Sequence, residues 1–360
     1  MSKWTLSVCA LTDTGLKRSQ NEDSHAVWMP EDDGARERQG VLLVVCDGMG
    51  GSQAGEVASS LAVDTVLATF RDANGLEPED EIRHALEEAN RVVHQRSLAD
   101  AERHGMGTTC TAAVVRGREV FLAQVGDSRA YLVRHGHIRQ LTRDHSLVAQ
   151  LVERRELTPE EARIDPRRNV VTRSIGVSET VEVDAIRLDA PLEAGDTLLL
   201  CSDGLHGQVQ DDKLAAAVTG RDLSQASKDL IRLANERGGP DNITVVLARM
   251  SRDDDTLEDP PKSAGGTGGR TAVDEGSTRV NRPERPPRQA RGRNGAGGES
   301  VGRTAMSPSR AITLLILALI ALTVAVGSVL WLLRGVLSES RRLDSTRDGS
   351  SASQGGGGSS

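Results

Sequence analysis

Over the first 250 or so residues the apolar positions follow two rhythms, one of strand length and one of helical spacing. Residues 41–46 are all apolar and stop at Asp47-Gly48, which reads as a buried strand opening into a turn. A helical stripe follows over 54–70, carried by Ala58, Ala62, Val63, Val66, Leu67 and Phe70, and another over 79–96, carried by Ile82, Leu86, Ala89 and Val93. Strand-length runs return at 110–115, 120–125 and 129–134, separated only by Arg116-Gly117-Arg118 and Gly126-Asp127-Ser128. Connections this short exclude parallel crossovers and predict an antiparallel meander. Residues 146–163 are charged and weakly amphipathic through Leu147, Val148, Leu151 and Val152, which predicts a surface flap. Alternation at 181–188, a run at 197–201, a helix near 223–235 and a strand at 243–248 complete a unit of α+β class.

Beyond residue 250 the pattern changes. Over 251–310 the strong apolar runs give way to Gly, Pro, Ser, Asp and Arg, which cannot bury enough surface to offset chain entropy, so this stretch is expected to be a disordered linker. Residues 311–333 are 23 in a row without a charge, dominated by Leu, Ile, Val and Ala. At about 1.5 Å per residue they cross a hydrocarbon core of about 30 Å, which predicts one transmembrane helix. Residues 334–360 form a short flexible tail. The first thirty residues hold no apolar stretch of signal-peptide type, so residues 1–310 are expected on the cytoplasmic side. Arginines are balanced around the span, with Arg291, Arg293, Arg303 and Arg310 before it and Arg334, Arg341, Arg342 and Arg347 after, so charge does not set the orientation.

Charge and cysteine content narrow the picture. The formal charge of −8 argues against general nucleic-acid binding by the folded unit. Between 270 and 310 nine Arg face four acidic residues, which suits a solvated spacer and, as a sharper reading, attraction to anionic headgroups beside the span. Cys9, Cys46, Cys110 and Cys201 lie in or beside strand-like runs with no C-x-x-C pair, so they read as small core residues.

Four aspartates stand at the ends of strand-like runs or in adjoining turns: Asp47 in Cys46-Asp47-Gly48-Met49-Gly50-Gly51, Asp127 in Gly126-Asp127-Ser128-Arg129, Asp203 in Ser202-Asp203-Gly204, and Asp241 in Pro240-Asp241-Asn242. Asp23 closes Asn21-Glu22-Asp23. Each dipeptide alone is an ordinary turn signal. Strands ending on one rim would, however, bring these carboxylates together, and such a cluster demands cations. No His or Cys stands at metal-ligand spacing, and an all-oxygen set favours Mg²⁺ or Mn²⁺. Two such ions sharing a water would lower its pKa and supply a nucleophile for in-line attack on phosphorus.

Arg18-Ser19-Gln20-Asn21-Glu22-Asp23, Asp47-Gly48-Met49-Gly50-Gly51, Gly107-Thr108-Thr109, Gly126-Asp127-Ser128-Arg129, Ser202-Asp203-Gly204 and Asp241-Asn242 occur in the order and approximate spacing of the PPM family, the type 2C protein phosphatases, which residues 5–250 resemble. The resemblance implies a four-layer α-β-β-α sandwich of two antiparallel sheets flanked by helices, with a binuclear Mg²⁺ or Mn²⁺ site at one edge. By the same resemblance Asp47 bridges both metals and orients the water, and the Gly48 carbonyl ligates one of them. Asp203 and Asp241 complete one metal's sphere, and Glu22 and Asp23 act directly or through water. Asp127 matches the residue that helps hold a third, weaker metal in bacterial members. Arg18 matches the phosphate clamp, for which a planar guanidinium suits two phosphate oxygens. Residues 146–163 fall at the family's variable flap.

One departure stands out. Many relatives carry a His within or just after the Asp-Gly turn, where this chain has Met49 and Ser52, so a general acid for the leaving oxygen is unassigned. His25 is near in sequence, but a lone His is more often structural, and a metal-bound water could serve as the acid. The implied activity is one-step hydrolysis of phosphoserine and phosphothreonine on proteins, opposing a cognate serine/threonine kinase near the membrane. The competing reading is a catalytically inactive, membrane-tethered adaptor, against which stands an acid at every ligand position.

Overall fold

In the computed structural model, which describes residues 4–50, 54–73 and 77–252, the chain opens with β1 (Trp4–Asp13), β2 (Asp23–Trp28), α1 (Asp33–Gln39), β3 (Val41–Met49), α2 (Ala54–Asp72) and α3 (Pro78–Ala99). There follow β4 (Gly107–Thr108), β5 (Cys110–Arg116), β6 (Glu119–Val125), β7 (Arg129–Arg134), β8 (His137–Gln140), α4 (Leu147–Glu153) and α5 (Pro159–Ile164). The last elements are β9 (Asp184–Arg187), β10 (Thr197–Cys201), α6 (Asp203–His206), α7 (Asp211–Val218), α8 (Leu223–Glu236) and β11 (Ile243–Arg252). The expected span over 311–333 and nearly all of the expected linker lie outside the described residues. Among those described, no helix is long and apolar enough to cross a membrane.

Two antiparallel sheets result, one ordered β1-β11-β10-β7-β8 and the other β2-β3-β5-β6-β9, with β4 paired to the end of β3. The unbroken apolar run of β3 follows from burial on both faces, because successive side chains of a strand point to opposite sides. Val41, Leu43 and Val45 meet Leu198, Leu200 and Val246 of the other sheet, whereas Leu42, Val44 and Cys46 pack with α2 and α3. The outer face of the β1-β11-β10-β7-β8 sheet, with Leu199, Val245 and Leu247, is covered by α7 and α8. The order of layers is therefore helix, sheet, sheet, helix, as the resemblance implies.

Both long helices occupy the expected stripes, and every residue named for the first stripe is buried. Helix α3 begins at Pro78 with Glu79, Asp80 and Glu81 in its first turn, where a missing N–H costs nothing and negative charge meets the positive end of the helix dipole.

Three expectations are corrected. The meander fails at its last connection: β5 and β6 pair, but β7 lies in the opposite sheet against β10 and β8, so Gly126-Asp127-Ser128 is a crossover between sheets. Asp47-Gly48 is not a turn, since β3 runs on to Met49 and pairs Gly48 with Thr108 and Met49 with Gly107. The alternation at 181–188 yields only the four residues of β9. In addition, β1, β2, β8 and α7 form where the pattern alone named no element.

Candidate active site

The acids named from the sequence converge where the strands of both sheets end. Asp23 and Asp47 face each other across the β2–β3 ladder. The Asp47 main chain is held from both sides: its N–H donates to Thr109 Oγ1 (2.9 Å), and its carbonyl accepts from Thr109 N (2.9 Å) and Thr108 Oγ1 (2.8 Å). Asp203 opens α6 directly after β10, and its carboxyl is close enough to that of Asp47 for the two to perturb each other's ionisation. Asp23 Oδ2 accepts from Ser202 Oγ and Thr244 Oγ1, each at 2.7 Å, which ties the two sheets together at this point.

The loop carrying Arg18 and Glu22 is held onto β11 by Asn242. Its Oδ1 accepts from Glu22 N (2.8 Å), and its Nδ2 donates to the carbonyls of Thr14 and Gln20, each at 2.9 Å. Arg18, half exposed at the rim, donates to Asp241 Oδ2 at 2.8 Å and lies 4.0 Å from Glu22. Gly48 is required by close approach: a Cβ there would stand 2.2 Å from the Gly55 carbonyl oxygen and 2.5 Å from that of Glu22. Asp127 sits in the crossover turn and is buried. The structure thus brings together Arg18, Glu22, Asp23, Asp47, Gly48, Asp203 and Asp241, with Asp127 lining the same cavity as Asp203.

Burial and mutual repulsion dominate the electrostatics. Desolvation, reinforced by Asp203 and Asp241, pushes Asp23 up to about 7. Burial and then Asp241 push Asp203 to about 6, and burial with Asp203 and Asp144 pushes Asp127 to about 8. Asp47 stands well above the carboxylate range because it is buried among Asp23, Asp203, Asp127 and Asp241. Asp23 Oδ1 and Asp203 Oδ1 are buried without a protein partner. Crowded acids with orphaned oxygens fit a divalent cation, and oxygen donors of this kind fit a hard one. Among the described residues no group of three or more His, Cys, Asp or Glu side chains is set closely enough to hold a metal ion by itself, so the arrangement is an open one. Mg²⁺ and similar ions bind in that open way, through one or two carboxylates, with carbonyl oxygens and several waters filling the remaining positions.

A cavity of about 620 Å³ opens from Arg18, Asp127, Asp203 and Asp241 towards α4 and α5, with Val148, Val152 and Ala162 on its far wall. His206 also lines it, but burial holds its pKa well below the usual value and its Nε2–H donates to the Asp127 carbonyl at 3.0 Å, which makes it unsuited to deliver a proton. His25 does not line the cavity; burial lowers its pKa and its Nδ1 has no partner, in keeping with a structural role. Thr109, Ser202, Asn242 and Thr244, which hold the acids in place, carried no assigned role in the sequence. The first three lie inside the quoted motifs, and that position was the available signal.

A sequence profile of the family described as Protein phosphatase 2C matches residues 8–243. The serine/threonine phosphatase stp of Listeria welshimeri is 39% identical over 245 residues, spanning 67% of this chain and 94% of its own length. The solved serine/threonine phosphatase of S. agalactiae superposes with a TM-score of 0.62 at 37% identity, covering 68% of this chain and 99% of that one. The catalytic domain of the phosphatase PstP, solved in complex with two manganese ions, gives 0.59 at 34% identity over 69% of this chain and all of that one. Sequence, fold and the acid edge agree, and the chain belongs to the protein phosphatase 2C family of metal-dependent serine/threonine protein phosphatases.

Proposed function

We propose that this chain dephosphorylates phosphoserine and phosphothreonine on proteins in one step, with Asp47 at the centre of its metal site and Arg18 as the phosphate clamp. The observation that carries this reading is the meeting of Asp23, Asp47, Asp203 and Asp241 at one sandwich edge, beside a cavity with an arginine at its rim. Divalent cations there would supply a nucleophilic water at neutral pH and neutralise charge on the phosphoryl group. Asp47, which adjoins Asp23, Asp203, Asp127 and Asp241, is suited to bridge two ions, with the Gly48 carbonyl on one of them. Asp203 and Asp241 would complete one sphere, and Glu22 and Asp23 would act directly or through water. Asp127 would help hold a third, weaker ion. The two manganese ions of PstP favour Mn²⁺ over Mg²⁺.

The chain's own residues do the rest. Arg18 presents its fork to the phosphate from the rim while Asp241 orients it, and the flap at 146–163 limits which phosphoproteins reach the acids. Hydrolysis of a phosphothreonine peptide by the full-length chain, with Mn²⁺ or Mg²⁺ added back to stripped protein, tests this reading. Activity that survives chelation, or the change Asp47→Asn, would sink it.

The cellular setting extends the proposal. A linker over 251–310 and a single span over 311–333 would keep the catalytic unit on the cytoplasmic side, opposing a serine/threonine kinase whose products lie near the membrane. The 23 uncharged residues support the span, and the Arg-rich approach supports its nearness to anionic headgroups rather than its orientation. Recovery of the full-length chain in the supernatant after alkaline extraction of membranes would overturn it.

A further inference from the structure

The crossover turn that carries Asp127 is held mainly by side chains reaching in from elsewhere. Gln124 Nε2 donates to the carbonyls of Gly126 (3.1 Å) and Ser128 (2.9 Å). His145 grips the Gly126 peptide at both ends: its main-chain N–H donates to the Gly126 carbonyl (2.9 Å), and its ring Nδ1 accepts the Gly126 N–H (3.0 Å). His206 Nε2 lies 3.0 Å from the Asp127 carbonyl. A carbonyl only accepts and an N–H only donates, so His206 carries its proton on Nε2; His145, whose Nδ1 accepts from Gly126, carries its own on Nε2, which faces Asp184 at 3.1 Å with Arg173 Nη1 at 3.2 Å beside it.

Each histidine also holds the flap. The His145 carbonyl accepts from Thr172 N (2.8 Å), and the next residue, Ser146, caps α4. The His206 carbonyl accepts from Arg163 Nη2 of α5 at 3.3 Å. One histidine thus joins the Asp127 turn, through its ring, to the segment that follows the flap, through its carbonyl, and the other joins the turn in the same way to the flap's second helix.

We propose that His206 and His145 are positioning residues that aim Asp127 and couple its placement to the seating of the flap. This rests on reading Asp127 as a ligand of the third, weaker cation. Without the His206 donor the Asp127 carbonyl becomes a buried orphan, and the turn relaxes to find water.

The test is calorimetric titration of Mn²⁺ into the metal-stripped full-length chain, with a thermal melt of each variant. Wild type should show a tight pair of events and a weaker one that Asp127→Asn abolishes. His206→Leu, which fills a similar volume without a donor, should weaken only that third event, by about tenfold, as expected for one buried hydrogen bond. His206→Gln places an N–H where Nε2 stood and should bring affinity back to within about threefold. In the same way His145→Asn, which keeps an acceptor for Gly126, should stay near wild type, while His145→Leu should follow His206→Leu. Arg163→Ala should lower the third affinity by about threefold and raise KM for a phosphopeptide more than for a small aryl phosphate.

Three results would overturn the proposal: a third event unchanged in His206→Leu, no rescue by His206→Gln, or a fall in all three events in step with a lower Tm, as a merely structural role would give. If the third event persists in Asp127→Asn, the fault lies in the reading of Asp127 itself, and the proposal falls with it. If Asp127→Asn abolishes the event but the histidine variants do not weaken it, the fault lies with the histidines alone.

Discussion

The two walls of the active-site cavity are built by different forces. On the acid side, Asp203 and Asp241 line the cavity and their neighbours Asp23 and Asp47 lie in a β-ladder, with the main chain around them paired to Thr108, Thr109 and Asn242. On the flap side, α4 has seven residues and α5 six, too short to be stable alone. Helix α5 is largely exposed and α4 only half-buried, and both are joined to the body by few bonds, among them Leu147 N to the Val170 carbonyl and Arg163 to the His206 carbonyl. Mutually repelling carboxylates stay together only in a scaffold stiffer than their repulsion, whereas a wall that selects substrates needs no such stiffness. The contrast assigns chemistry to the rigid side and selection to the soft one.

The sharpest way to break this division is on the acid side. Asp203→Asn should lower kcat/KM at least about 100-fold, since even residues that only support metal ligands cost about 10–100-fold. A smaller loss, measured with a phosphothreonine peptide at saturating Mn²⁺, would mean the acids matter less than their burial suggests. Chelation should lower the Tm of the full-length chain, because a ligand at 100 times its Kd adds about 2.7 kcal/mol of stability. An unchanged melt would place the cations elsewhere.

Arg18→Ala should raise KM by about 10–100-fold, the weight of charge-assisted hydrogen bonds, with Mn²⁺ still bound. Calorimetry that finds no Mn²⁺ binding in this variant would merge two roles held separate here. Asn242→Ala leaves the Glu22 N–H and two carbonyls without partners and should cost about 3 kcal/mol in denaturant unfolding. A near-neutral result would show that the Arg18 loop is held some other way.

The pH response sharpens the flap side. Burial, assisted by Arg173 and opposed by Asp184 and Asp144, holds the His145 pKa below its usual value, so the native state keeps this ring neutral. Its contribution to stability is full above about pH 6.5, where the unfolded chain is also neutral, and is lost as pH falls from there towards the depressed native value. His145→Asn should flatten that part of the stability curve in melts between pH 7 and 5, and an unaltered slope would remove His145 from the account. The smallest effect belongs to the exposed flap pair Arg143–Glu153: Arg143→Ala should leave both Tm and Mn²⁺ binding unchanged.

Much of the site was legible because its chemistry is written in short segments. Glu22 and Asp23, Asp47 and Gly48, Asp203, and Asp241 and Asn242 each stand within one motif, and each arrived at the same edge. The two histidines left no such trace, since His145 and Gly126 are 19 residues apart and His206 and Asp127 are 79 apart. For the fold, strand positions at 110–115, 120–125 and 197–201 were readable, but the sheet each strand joins was not. Where both faces of a strand are covered, its pattern is apolar throughout and offers no register or partner. A three-residue connection such as Gly126-Asp127-Ser128 therefore looks the same whether it turns a hairpin or crosses between sheets.

By itself the sequence determined where the long helices and the central strands lie, and that the clustered acids offer hard oxygen donors, because periodicity and ligand chemistry are properties of neighbouring residues. Only the tertiary structure decided that β7 leaves the sheet of β6, that hydroxyls of Ser202 and Thr244 hold Asp23, and that two histidines from distant segments grip the Asp127 turn. It also decided how far the acids are displaced from ordinary carboxylates, since desolvation and repulsion depend on distances that no local pattern encodes.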